Sequence, residues 1–319
     1  MGIIVTFSFT ILGSSSAVPT SERFPAAHVV NIHERYFLVD CGEGAQIQLR
    51  KNRISFGKIN HILISHIHGD HTFGLFGLIS TFSLLGRKSD LHIYANPHLN
   101  SILTDHEKHY YERPLPFRIV FHPVGSKKKE LIYEDEKLEI HTIPLKHRVP
   151  ACGFHFKEKA PLLNMKKELI KYYNIPVKEL LNIKLGQDYI NEKGEQIPNE
   201  ILTLPPVKPR SLAYCTDTKY TESIIPQIKN VDILYHEATY LHNMLDRAKE
   251  TGHSTAKQAG MLAKMANPGM LIIGHFSARY KTTDVLVKEA REEFSDSYAA
   301  KEGDCYKVVQ TRISRDKAV

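Results

Sequence analysis

Ile62-Leu63-Ile64-Ser65-His66-Ile67-His68-Gly69-Asp70-His71 places four metal-binding side chains within six residues, directly behind a short apolar run. Imidazole suits zinc and other first-row metals, and a carboxylate widens the choice. On an extended segment alternate side chains share a face, so His66 and His68 are expected to grip one ion. Asp70 and His71, beyond the glycine, are free to turn toward a second. For a lone histidine pair a surface loop is the plainer reading. The full pattern behind an apolar strand predicts a dinuclear site.

Working outward, apolar alternation predicts strands over 3–12, 28–39 (folded about a turn at His33-Glu34), 62–65, 91–95, 118–122, 131–133 and 138–144. Later strands are expected at 211–215, 233–235 and 271–273. Helical patterns run over 45–51, 72–85 and 283–294, with another through Ala266 capped by Ser254 or Thr255. Several strands end in a ligand-type residue: 138–144 leads to His147, 211–215 to Asp217, 233–235 to His236-Glu237 and 271–273 to His275. In layered α/β folds the strand ends aim loop residues into one crevice. Taken singly, His147, Asp217 and His275 read as ordinary surface, turn or core residues. Jointly they supply what the first cluster lacks, because two ions sharing a bridging carboxylate need about seven protein ligands.

The chain has 319 residues, 42% hydrophobic and 24% charged, which excludes a disordered or fibrous protein. No Pro/Ser/Gly-rich linker divides it, so one main domain over 1–319 is expected. The segment 157–206 changes character, with Lys159, Lys166, Lys167, Lys171, Lys178 and Lys184 among tyrosines, leucines and prolines. It reads as an inserted arm or as a solvated helix pair covering the core. A net charge of +7 permits an anionic partner without proving nucleic acid. Cys41, Cys152, Cys215 and Cys305 form no Cys-x-x-Cys pair, which fits a reduced cytoplasm better than a disulfide framework. No basic residue precedes Arg23 in the apolar N-terminal stretch, and no run reaches transmembrane length, so neither a signal peptide nor a membrane partner is expected.

The chain closely resembles the metallo-β-lactamase fold and, within it, the ribonuclease Z family. The likeness rests on Leu12-Gly13-Ser14-Ser15-Ser16-Ala17-Val18-Pro19-Thr20, Asp40-Cys41-Gly42-Glu43-Gly44-Ala45-Gln46, the histidine cluster with Phe73-Gly74-Leu75, and Pro205-Pro206-Val207-Lys208-Pro209-Arg210. It continues through Asp217-Thr218, His236-Glu237-Ala238-Thr239, His253-Ser254-Thr255 and His275-Phe276-Ser277-Ala278-Arg279-Tyr280. The first histidine cluster specifies only the superfamily, whereas the last blocks are far narrower.

The resemblance implies an α/β fold, an αββα sandwich with an inserted substrate-binding arm. It implies a zinc-dependent endoribonuclease that removes the 3′ trailer of precursor tRNA, leaving a 3′-hydroxyl on the tRNA and a 5′-phosphate on the trailer. His66, His68 and His147 would hold one Zn2+, and Asp70, His71 and His275 a second, with Asp217 bridging. Asp70 would orient and deprotonate the attacking water, His253 paired with Glu237 would protonate the leaving oxygen, and Arg279 would neutralise the phosphate. A homodimer is also implied. Asp40 reads as a partner to a ligand imidazole or as a turn residue. The 13–16 loop reads as a phosphate-binding nest or merely a turn.

Two positions depart from the family pattern. Thr216 stands where glycine usually precedes the bridging aspartate, and Asn174-Ile175-Pro176-Val177-Lys178-Glu179 replaces a Gly/Pro-rich arm tip. The alternatives are another hydrolase of the same fold acting on a small phosphodiester or sulfate ester, and a non-catalytic nucleic-acid-binding relative.

Overall fold

The computed structural model describes residues 6–312; Ile3, Ile4 and Val5, where the expected first strand begins, lie outside the described residues. The larger compact unit contains, of the described residues, 6–157 and 211–308. It is built on two seven-stranded sheets. In the first, the strands run in the order Cys305–Lys307, Phe7–Gly13, Ala27–Ile32, Arg35–Cys41, Ile59–Leu63, Leu91–Ala95 and Ile119–Pro123. In the second the order is Ser297–Ala299, Leu271–Gly274, Ile233–Glu237, Ser211–Cys215, Cys152–Glu158, Leu138–Pro144 and Leu131–Glu134.

Apolar side chains from both sheets, including Phe9, Phe37, Ile140, Phe154, Phe156 and Ile233, share one buried cluster, so the sheets face each other. Each such side chain contributes roughly 2 kcal/mol by leaving water. A second cluster joins the outer face of the first sheet to the helices Ala45–Lys51, Gly69–Leu84 and Pro97–Tyr110. Ala256–Ala266 and Asp284–Arg291 cover the other sheet. The layers are therefore helix, sheet, sheet, helix, as in the metallo-β-lactamase fold.

Parallel pairing decides where the site lies. Ser211–Cys215, Ile233–Glu237 and Leu271–Gly274 are mutually parallel, so their C-terminal ends share one edge. Arg35–Cys41 and Ile59–Leu63 are likewise parallel in the first sheet. The helix after the histidine cluster begins at Gly69, a turn earlier than its apolar pattern predicts, which carries Asp70 and His71 into its first turn. It lies close against the preceding loop: a Cβ on Gly74 would come within 2.0 Å of the Gly42 carbonyl oxygen. Pro97–Tyr110 was not anticipated, although Asn96 caps it and Pro97 opens it.

The smaller unit comprises, of the described residues, 158–210 and 309–312, and all of the expected arm but Lys157 falls within it. Short helices at Lys167–Tyr172, Leu180–Lys184 and Asn199–Leu202 accompany a ribbon pairing Tyr189–Ile190 with Gln196–Ile197. Ile175, Ile183, Tyr189, Ile197 and Leu202 give it a core of its own. At its base the Arg210 guanidinium donates to both oxygens of Glu158, at 2.6 and 3.0 Å, out of contact with water.

Candidate metal centre and active site

Every site residue expected from the sequence, except Arg279, converges on the strand edge just described. Asp40, Asp217 and His275 sit there with positive φ (55°, 38° and 58°), a backbone region that costs a non-glycine residue free energy. The turns at the strand ends thus hold these side chains in directions that a relaxed backbone would not give. His66, His68, His147 and Asp217 offer ligand atoms within 4.8 Å of one another, as do Asp70, His71 and His275. Asp217 divides its carboxylate between the two groups. Its Oδ2 lies 3.4 Å from His66 Nε2 and 3.7 Å from His147 Nε2, and its Oδ1 lies 3.2 Å from His71 Nε2 and 3.1 Å from His275 Nε2.

The outward nitrogens show what the inward ones can do. His71 Nδ1–H donates to Asp40 at 2.8 Å, His147 Nδ1–H to the Gly252 carbonyl at 2.8 Å, His66 Nδ1–H to Ser65 Oγ at 3.0 Å and His275 Nδ1–H to Thr239 Oγ1 at 3.1 Å. A neutral imidazole that donates from one nitrogen presents a lone pair on the other. Two of those lone pairs meet, His71 Nε2 lying 3.3 Å from His275 Nε2, and His66 Nε2 is 3.0 Å from His68 Nδ1. Two acceptors this close, beside Asp70 and Asp217, demand positive charge between them. Burial works against charge on His71, but Asp40, Asp217 and Asp70 outweigh it and carry its pKa well above the ordinary value. The site is thus chemically suited to metal: nitrogen and carboxylate donors, tautomers fixed from behind and carboxylates that call for cations.

Asp40 organises that backing. It is fully buried and accepts from Ser65 N, Ser65 Oγ, His71 Nδ1 and Tyr214 Oη at 2.7 to 2.9 Å. Thr216 donates its hydroxyl to Asp217 Oδ1 at 2.9 Å, a contact glycine would lack. Gly252 has φ +82°, and a Cβ there would lie 3.0 Å from His147 Nδ1, so glycine alone brings its carbonyl to that nitrogen without strain.

Beside the ligands, His253 Nδ1 lies 3.0 Å from Glu237 Oε1. Burial disfavours a charged His253, yet Glu237, with Asp217 and Asp70, prevails and raises its pKa to about 9. Glu237 is fixed in turn by Thr218 N–H at 2.6 Å and the Thr239 hydroxyl at 2.6 Å. The neighbouring residues divide the remaining tasks: Ser254 donates to the Thr218 carbonyl at 2.7 Å, and Thr255, not Ser254, caps the helix in a reciprocal box with Gln258. His236 stays out of the cluster, its Nδ1 held by the Glu237 carbonyl at 2.7 Å.

These groups open into a cavity of about 610 Å³. Arg279 is exposed; its Nε donates to Ser277 Oγ at 3.0 Å and its guanidinium lies 4.9 Å from the ring centre of Tyr240, which lines the cavity. The 14–18 loop is no phosphate nest, because its amides are already engaged: Ser14 with Glu302, Ser15 with Phe24, Ser16 with Phe276, Ala17 with Asp70 and Val18 with Ser16.

The chain is 46% identical over 299 residues to a ribonuclease Z of Bacteroides fragilis, covering 94% of this chain and 98% of that protein. A ribonuclease Z of Phocaeicola vulgatus is 48% identical over 296 residues, covering 93% and 96%. The chain belongs to the ribonuclease Z family. It is accordingly a hydrolase, an endoribonuclease. In structure the chain is similar to human tRNase Z, short form, with a TM-score of 0.67 at 24% identity over 94% of this chain and 98% of that one. It is also similar to a metallo-β-lactamase fold protein of Bacillus subtilis, with a TM-score of 0.68 at 17% identity over 95% and 100%. A family model described as Anti-Pycsar protein Apyc1 matches residues 7–161.

Two residues of this site are not among those expected from the sequence. Arg148, next to His147, and Arg247, ion-paired to Glu250 at 2.6 Å, both line the cavity. Only Arg148 carried a signal, its place beside a candidate ligand. Arg247 lies on the helix Leu245–Thr251, between the motifs His236-Glu237-Ala238-Thr239 and His253-Ser254-Thr255 and part of neither, and reaches the site because that helix ends at Gly252. Among the described residues no helix is long and apolar enough to cross a membrane.

Proposed function

We propose that the chain removes the 3′ trailer of precursor tRNA in the cytoplasm, using two zinc ions per subunit, and that it works as a homodimer. The observation that carries this reading is the convergence of five histidines and two aspartates beside a His253–Glu237 pair held ready to donate a proton. His66, His68, His147 and Asp217 would hold one ion, and Asp70, His71, His275 and Asp217 the other. When bound, such a pair makes water acidic at neutral pH and offsets charge on a phosphodiester. The residues do the rest. Asp70 takes the proton of the attacking water as its oxygen bonds to phosphorus, and His253, its charge sustained by Glu237, gives a proton to the departing ribose 3′ oxygen. The phosphate stays with the trailer. Arg279 balances charge on the phosphate, with Arg148 and Arg247 at the cavity wall. The unit 158–210 binds the tRNA.

Incubating zinc-loaded protein with a 3′-extended precursor and mapping the product ends tests the reading. Absence of cleavage, or cleavage indifferent to Asp70→Ala, overturns it. Removing 157–198 should abolish precursor cleavage but spare bis-p-nitrophenyl phosphate; equal loss of both would return the chain to a small-ester hydrolase. Metal analysis checks the ion count, and size-exclusion with light scattering checks the dimer.

A further inference from the structure

The 14–18 loop uses up its own amides and ends in one donor aimed at Asp70. Ala17 N–H reaches Asp70 Oδ2 at 2.7 Å, the oxygen that lies 3.4 Å from His275 Nε2 and 3.6 Å from His71 Nε2. Ala17 has φ +58°, so the chain must be held there by its surroundings. The restraint comes from two directions. On one side Ser16 N donates to the Phe276 carbonyl at 3.0 Å and Phe276 N to the Ser14 carbonyl at 2.8 Å, which ties the loop to the residue after His275. On the other, Glu302 Oε1 accepts from Ser14 N at 3.0 Å, Ser14 Oγ at 3.0 Å and Phe24 N at 3.2 Å. Ser14, Ser15 and Ser16 are buried, so these donors have no water to fall back on. Glu302 lies near the end of the chain, and its segment is locked to the first strand by Gly303 N on the Ile11 carbonyl at 2.9 Å.

We infer that Glu302 is a positioning residue for the reaction: through Ser14 and the 14–17 loop it fixes Ala17 N–H, which orients the Asp70 carboxylate. This rests on the role given to Asp70 above. The hydrogen bond occupies one lone pair of Asp70 Oδ2 and sets the plane of the carboxylate, leaving its other lone pairs for ion and proton. Glu302 itself touches neither substrate nor ligand.

The test compares Glu302→Ala, Glu302→Gln and Asp70→Ala. On a 3′-extended precursor, Glu302→Ala should lower kcat about tenfold with KM within about a factor of two, as expected for a reacting group displaced by a fraction of an ångström. Hydrogen exchange in a peptide covering 13–20 should speed up in the same variant. Glu302→Gln keeps an acceptor oxygen for Ser14 and Phe24, so it should hold kcat within about threefold and leave exchange nearly as in the parent. An unchanged kcat in Glu302→Ala, a lower kcat with unchanged exchange, a rise in KM alone, or a glutamine variant as poor as the alanine one would each overturn the proposal. If the alanine variant does not fold, Glu302→Asp, which withdraws the carboxylate by one methylene, carries the same measurements. Should Asp70→Ala cleave normally, the reading of the site fails, while the exchange comparison still decides whether Glu302 holds the loop.

Discussion

The protein contains two histidine groups that look alike in composition and differ in chemistry. One is the cluster at the strand edge. The other lies within the first sheet, where His61, His92 and His122 stand on three neighbouring strands, with ring centres 5.0 and 5.2 Å apart and His92 Nδ1 2.9 Å from His122 Nε2. Their aromatic neighbours are Phe37, Tyr94 and Tyr133. In the first group each backed nitrogen points to an acceptor behind it and the other faces an aspartate. In the second the rings stack and bond to one another. Histidines become ligands when acceptors fix their tautomers and carboxylates supply a charge to be balanced; otherwise they pack as flat polar aromatics.

The sharpest way to break this contrast is to remove the carboxylate that the two ion sites share. Asp217→Ala should lose metal and lower single-turnover cleavage about 10³-fold or more, as expected when the ions themselves no longer stay. Metal content after desalting, measured beside the rate, checks it, and a variant that keeps both ions would show that the histidines suffice. A smaller effect is expected from behind the site. Asp40→Asn can still accept from Ser65 N, but its NH₂ cannot accept from His71 Nδ1–H or Tyr214. Metal affinity or activity should fall about 10- to 100-fold, as is usual for groups that orient ligands. Smaller still is Thr216→Gly, which removes one hydroxyl donor to Asp217 and should change kcat by less than about tenfold. If Thr216→Gly equals Asp40→Asn in effect, the hydroxyl is doing more than trimming one hydrogen bond.

Most of this site was legible in the sequence because its ligands follow short apolar strands that run parallel, so a one-dimensional rule places them at one edge. The layered fold was legible for the same reason. Other parts were hidden by distance along the chain. Glu302 reaches Ser14 across 288 positions and Tyr214 reaches Asp40 across 174, and neither carries a local pattern. The 13–16 loop has the composition of an anion nest, and only the structure shows its amides already taken. The basic look of the arm also misleads: residues 158–210 hold nine lysines and arginines against seven acids, while Tyr172, Val177 and Leu181 are exposed. Contact with tRNA there would rely on apolar and aromatic surface as much as on charge.

The smallest expected effect lies in the sheet group and reads out as stability against pH. In the site the shifts run both ways: carboxylates raise His71 well above its ordinary value and His253 to about 9, while burial lowers His147 and takes His68 down to about 4. In the sheet, burial lowers His61 from 6.5 to about 4, reinforced by His92 and His122. Between those two values the unfolded chain takes up a proton that the folded chain refuses, so His61 favours folding fully above about pH 6.5 and loses that contribution as pH falls toward 4. After allowing for its partial exposure, the contribution is about 2 kcal/mol. His28, fully buried among Phe9, Tyr214 and Tyr235 and lowered by burial to about 3, acts with the same sign. His61→Phe should therefore flatten, without abolishing, the fall of Tm between about pH 7 and pH 4.5, with cleavage at neutral pH unchanged. An unaltered slope would remove His61 from the account. A flattened slope accompanied by lost cleavage would mean that the two groups are coupled through the first sheet and that their separation by chemistry is incomplete.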